Sequence, residues 1–151
     1  MSDNQDALNM LLNISEKVPF FNGLKKEEIT GLISDVKILT YKNKDIIFKE
    51  GETSRDYMFY LLRGKLAISK ISLETKTKIR LAVIDTPSLF GEMMRLTGEP
   101  RNATIESIDD KTLVLAFKVK EFKETTPISK FYKNVINELS NKINNMNKKV
   151  H

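Results

Sequence analysis

The sequence predicts a mainly β protein with flanking helices, and three observations carry that reading. Between residues 36 and 118 the apolar residues fall into short runs rich in β-branched and aromatic side chains, with turn-forming residues between them. Before and after that region they recur at the spacing of an amphipathic helix. At 151 residues the chain has the size of one domain, able to bury roughly two-thirds of its unfolded surface around one core.

Taken in order, residues 6–16 place Ala7, Leu8, Leu11, Leu12 and Ile14 with a helical period, and Pro19 closes the segment. A second helix is expected over 25–35, with Ile29, Leu32 and Ile33 as its buried stripe. Strands are expected at 36–41, 45–49, 57–62, 65–72, 77–84, 102–107 and 112–118, spaced as antiparallel hairpins of a barrel or sandwich. Glu50-Gly51 and Arg63-Gly64 are turn signals between runs. Residues 119–126 read as a short helix, and Pro127 suits the first turn of the next. There Tyr132, Ile136, Leu139, Ile143, Met146 and Val150 form a heptad-like seam, a candidate surface for pairing two copies. The expected organisation is one domain: a helical segment over 1–35, a β region over 36–118 and C-terminal helices over 119–151.

Composition excludes several chemistries. The chain has no cysteine, and its only histidine is His151, which removes disulfides, Cys/His metal sites, thiol nucleophiles and a Ser-His-Asp triad. No metal is therefore expected, and no nucleophile, base and orienting group converge by spacing, so an enzyme is not expected either. No apolar run approaches a membrane span and the N-terminus lacks the pattern of a secretory signal, so the expected location is cytoplasmic. The net charge is +5, but the lysines are spread along the chain and Arg55, Arg63, Arg80, Arg95 and Arg101 do not cluster. Direct nucleic-acid binding is not expected from that pattern.

One stretch, residues 90–104, has the makings of an anion pocket. Phe90-Gly91-Glu92 is followed by a short helix-compatible run through Met93 and Met94, then a Gly98-Glu99-Pro100 turn, Arg101 and a return to strand-forming residues. Gly91 lets a ligand approach the backbone, and free N–H groups at a helix start favour negative charge. Arg101 can complete such a pocket with a planar fork of donors suited to phosphate.

These residues resemble the phosphate-binding cassette of cyclic nucleotide-binding domains, the family that includes the catabolite activator protein and protein kinase A regulatory subunits. The shared features are Phe-Gly-Glu, a short helix, and an arginine nine residues after the glutamate in a Pro-Arg-x-Ala-Thr context. With the turn glycines, the landmarks run over residues 18–147. The resemblance implies an antiparallel β-roll, a jelly-roll-like double-stranded β-helix, with N-terminal helices and a C-terminal helix. It implies that Arg101 binds a cyclic phosphate, that Glu92 accepts from the ribose 2'-hydroxyl, and that the backbone from Phe90 and Gly91 through Met93 and Met94, with Ala103, completes the cassette. By alignment, Ala82 and Ile84 share a strand face that would line sugar and base. Asn102 stands where a side chain can help to distinguish guanine from adenine.

The implied ligand is cAMP or cGMP, with a lean to cAMP from its wider use in the family, and no further cofactor. The implied function is a non-enzymatic sensor whose C-terminal helix moves on binding, acting through an effector protein and capable of forming a homodimer through its final seam. The chain departs from the family at Lys44-Asp45 and at Pro87-Ser88, both turn positions where Gly-Asp is usual, and at Met94, where the family keeps a small residue. An alternative follows from Met94: a related fold whose filled pocket serves as a protein interaction module. A further alternative is the sensory part of a transcription regulator, whose helix-turn-helix would lie beyond residue 151.

Overall fold

The computed structural model describes residues 2–17, 21–53, 57–91, 99–119 and 133. The chain divides into two compact units, one made of Met1–Ser34 with Lys120–His151, the other of Asp35–Val119.

In the first unit, α1 spans Ser2–Ile14 and runs into a 3-10 turn over Ser15–Lys17. Ala7 and Leu11, one helical turn apart, are fully buried. The Ser15 hydroxyl donates to the Leu12 carbonyl at 2.7 Å and so satisfies one of the carbonyls left over at the helix end. The helix begins earlier than its apolar pattern, because its first turn is polar and carries no period to read. A second helix, α2, covers Lys26–Leu32. The Glu28 carboxylate turns back to accept the Lys25 N–H at 2.9 Å, half of a capping box, and Ile29 and Leu32 are buried. It ends short of the expected residue 35: Gly31 is a poor helix former, and β-branched Ile33 has already become extended.

Strand β1 (Ile33–Tyr41) carries the chain into the second unit, followed by β2 (Ile46–Phe48), β3 (Met58–Arg63), β4 (Leu66–Ile71), β5 (Lys78–Ile84), β6 (Leu89–Phe90), β7 (Thr104–Ser107) and β8 (Thr112–Val119). Among the described residues they form two four-stranded sheets, in the orders β1-β8-β3-β6 and β2-β7-β4-β5. Strand pairs β2–β7, β3–β6, β3–β8, β4–β5 and β4–β7 are all antiparallel. The mainly β class and the antiparallel roll expected from the sequence are what the structure shows.

The core lies between the sheets. Phe59 and Leu61 of β3, Phe90 of β6, and Val114 and Ala116 of β8 meet Phe48, Leu66 and Ile105 of the other sheet. Their spacing of two residues along each strand is the strand alternation at work. Two turns set the strand registers. Gly64 sits at φ +103°, and a Cβ there would come within 2.5 Å of the Thr112 hydroxyl, so only glycine lets β3 turn this tightly into β4. The turn after β1 instead has Lys44, a residue with a Cβ, at φ +78°. It is held by Asp45, whose carboxylate accepts the Lys42 N–H at 2.8 Å, and by Lys44 N–H to the Ser107 carbonyl at 2.8 Å.

The helices expected after residue 119, and the seam from Tyr132 to Val150, lie outside the described residues; Lys133 alone is described, as helical. Among the described residues no helix is long and apolar enough to cross a membrane.

Candidate functional site

The site begins where β6 ends. Phe90 pairs with Phe59 of β3, and the next residue, Gly91, turns the chain at φ +74°. A Cβ on Gly91 would stand 2.9 Å from the Phe59 ring, 3.1 Å from Arg101 Nη1 and 3.2 Å from the Phe48 ring. Glycine is required there both by the backbone angle and by what crowds against it.

Arg101 arrives from the other side. Burial alternates from Arg101 through Ala103, Ile105 and Ser107, with Asn102 exposed between the first two. The same strand period that sends Ile105 into the core therefore sends the arginine inward. Its backbone is fixed to the turn after β2: Arg101 N–H donates to the Glu52 carbonyl at 2.9 Å, and Gly51 N–H donates to the Arg101 carbonyl at 2.7 Å.

Arg101 as a whole is only 5% exposed. Nη1 donates to the Gly91 carbonyl at 2.7 Å and Nη2 to the Tyr57 carbonyl at 3.1 Å. Its Cζ lies 4.3 Å from the Phe48 ring centroid and 5.6 Å from that of Phe59. Two phenylalanines thus wall the cation, and Phe90 backs them, stacked on Phe59 with centroids 5.3 Å apart. A desolvated cation over an aromatic face gains about 2 kcal/mol, and backbone carbonyls accept from both of its terminal nitrogens. The arrangement packs a positive charge directly against the Gly91 backbone, in space that a side chain there would fill.

Of the residues singled out in the sequence, Phe90, Gly91 and Arg101 are thus brought together. Ala103 is buried two residues further along. On β5, Ala82 lies opposite Ile68 and Ile84 opposite Leu66; Ile84 packs on the core and Ala82 is exposed. Glu92, Met93 and Met94 lie outside the described residues. Sequence reasoning did not find Phe48, Phe59 or Tyr57. The two rings read as ordinary strand residues, and Tyr57 contributes a carbonyl, which no side-chain pattern can announce.

A separate cavity of about 390 Å³ opens where β3 ends, lined by Tyr41, Lys42, Arg63, Asp110 and Lys111 among others. None of the expected site residues lines it. Burial, with a smaller effect from Asp45, raises the Tyr41 pKa above its usual 10.0. Among the described residues no cluster of three or more His, Cys, Asp or Glu side chains could hold a metal.

Comparison with known proteins places this geometry in context. The family model described as a cyclic nucleotide-binding domain matches residues 38–126. Among solved structures, the regulatory domain of Toxoplasma gondii PKA with cAMP is similar at a TM-score of 0.68 and 16% identity, over 93% of this chain and 51% of that one. The Thermus thermophilus catabolite activator protein is similar at 0.64 and 20%, over 88% of this chain and 62% of that one. The sensor domain of the transcriptional regulator DNR from Pseudomonas aeruginosa is similar at 0.65 and 16%, over 95% and 91%. These likenesses show a shared fold, and this chain spans about half to three-fifths of the first two proteins. A search of curated proteins finds no match.

Proposed function

The chain belongs to the cyclic nucleotide-binding domain family, and from that premise we propose that it is a non-enzymatic sensor of a cyclic nucleotide, with cAMP the first candidate. The observation that carries the reading is the buried Arg101 guanidinium held against the Gly91 carbonyl. A cyclic phosphodiester bears one negative charge, which one well-placed arginine can neutralise without a metal. Attraction at about 4 Å in a partly screened site is on the order of 4 kcal/mol before desolvation is subtracted.

In this reading the phosphate sits over Gly91 and exchanges the carbonyl acceptors of Arg101 for anionic oxygens, which accept more strongly. Glu92 accepts from the ribose 2'-hydroxyl, and the backbone through Met93, Met94 and Ala103 closes around the phosphate. Ala82 and Ile84 line the sugar and base, and Asn102 bears on the choice between adenine and guanine. A lean to cAMP draws support from the Toxoplasma gondii PKA regulatory domain, whose structure is with cAMP. Output follows if the C-terminal helix fits the bound and free states differently, since a ligand moves an equilibrium only through such a difference. That helix would act on an effector protein or pair two copies.

Thermal unfolding with cAMP, cGMP and linear AMP, in wild type and Arg101→Ala, tests the proposal. A ligand at about 100 times its dissociation constant adds roughly 2.7 kcal/mol to stability. One cyclic nucleotide should raise the melting temperature of the wild type and not of the variant. If neither does so at millimolar concentration, the sensor reading is wrong.

A further inference from the structure

Tyr57 joins the candidate site to the two places where the chain enters and leaves the roll. Its carbonyl accepts the Arg101 Nη2 hydrogen bond at 3.1 Å. Its hydroxyl donates to the Asp35 carboxylate, and Asp35 is the first residue of the Asp35–Val119 unit. Over its ring stand two ammonium groups, Lys118 Nζ at 4.8 Å and Lys37 Nζ at 5.0 Å from the centroid. Lys118 immediately precedes Val119, the last residue of the unit.

These contacts fix one side chain at several points. A hydroxyl bonded to a carboxylate is charge-assisted, and cations over the ring add attraction to its face. Hydrogen bonding to Tyr57 also raises the pKa of Lys37 above its usual value. With its side chain held at the hydroxyl and over the ring, Tyr57 has little freedom to rotate, and its carbonyl is aimed at the guanidinium. No ligand contact is required of Tyr57 for any of this.

Resting on the nucleotide site proposed above, we infer that Tyr57 is a positioning residue for Arg101 and the link through which a change at the guanidinium reaches Asp35 and Lys118. When the arginine turns toward a phosphate, the Tyr57 carbonyl loses a donor, and the hydroxyl and ring contacts register the change. Linkage makes the effect reciprocal: loosening Tyr57 from Asp35 weakens the anion site.

Amide NMR spectra of the full chain test this without needing a ligand. Arg101→Lys keeps the charge and breaks the two-carbonyl fork, and it should shift the Asp35 and Lys118 amides. In a Tyr57→Phe background the same substitution should leave those amides unmoved. Asp35→Asn, which keeps the ring in place, should also uncouple them, and it serves if the tyrosine variant does not fold. Equal shifts in every background, or no shift in the wild type, would overturn the inference. A merely structural Tyr57 would lower stability without removing this coupling. Titration with cAMP adds a second arm, in which Tyr57→Phe should weaken binding about threefold to tenfold. If wild type binds neither cAMP nor cGMP, the sensor reading fails alone, because the amide shifts are read in the free protein.

Discussion

At the scale of the residue, the most consequential fact is a positive charge kept out of water. Arg101 is tolerated at 5% exposure because aromatic faces and backbone carbonyls replace its hydration. Shape matters there as much as charge: lysine cannot reach two carbonyls at once, so Arg101→Lys should weaken cyclic nucleotide binding by more than tenfold in calorimetric titration. Gly91→Ala places a Cβ 2.9 Å from the Phe59 ring at φ +74°. It should cost about 1–3 kcal/mol in urea unfolding, from backbone strain and crowding together. Lys44→Gly is the opposite case. Lysine at φ +78° is strained, and removing its Cβ should add roughly 0.5–1 kcal/mol to stability, less whatever the freer unfolded chain gives back. Gly91 and Arg101 were legible from their spacing, whereas the carbonyl of Tyr57 was not, since backbone atoms carry no residue identity.

At the scale of the element, neighbouring strands of one sheet divide the work unequally. Leu66 of β4 is fully buried, while Ile79, Leu81 and Val83 of the edge strand β5 are 46%, 56% and 45% exposed. Leu66→Ala should therefore destabilise by about 2–5 kcal/mol. Leu81→Ala should change the unfolding midpoint little, within roughly 0.5 kcal/mol. β5 alternates Ile79, Leu81 and Val83 with other residues, whereas β4 opens on the apolar run Leu66-Ala67-Ile68, and the alternation by itself does not say which face of β5 is covered. The two-residue β6 was not visible at all, because a pattern of period two needs more than two residues to be seen. The boundary between α2 and β1 was misplaced by a few residues because Leu32, Ile33 and Val36 fit either period.

At the scale of the whole molecule, stability should respond to alkali through Tyr41. Its folded pKa is raised above 10.0 by burial, so folding favours the neutral phenol. That contribution is complete below about pH 10 and is lost as pH rises through the folded value, because the unfolded chain ionises first. Denaturant midpoints measured from pH 8 to 11 should fall at the top of that range, and Tyr41→Phe should flatten the fall. The sequence by itself determined the mainly β class, the helices before it, the positions of the longer strands and the choice of Gly91 and Arg101 as a pair, which the structure brings into contact. Those are local properties, set by side-chain period, turn chemistry and residue type over short stretches. Only the tertiary structure decided which faces are buried, which carbonyls hold the arginine, and that Phe48, Phe59 and Tyr57 surround it. Those contacts bring Phe48, Tyr57 and Phe59 to Arg101, which lies more than forty residues further along the chain, and closing such loops is a property of the assembled sheets that no single stretch encodes.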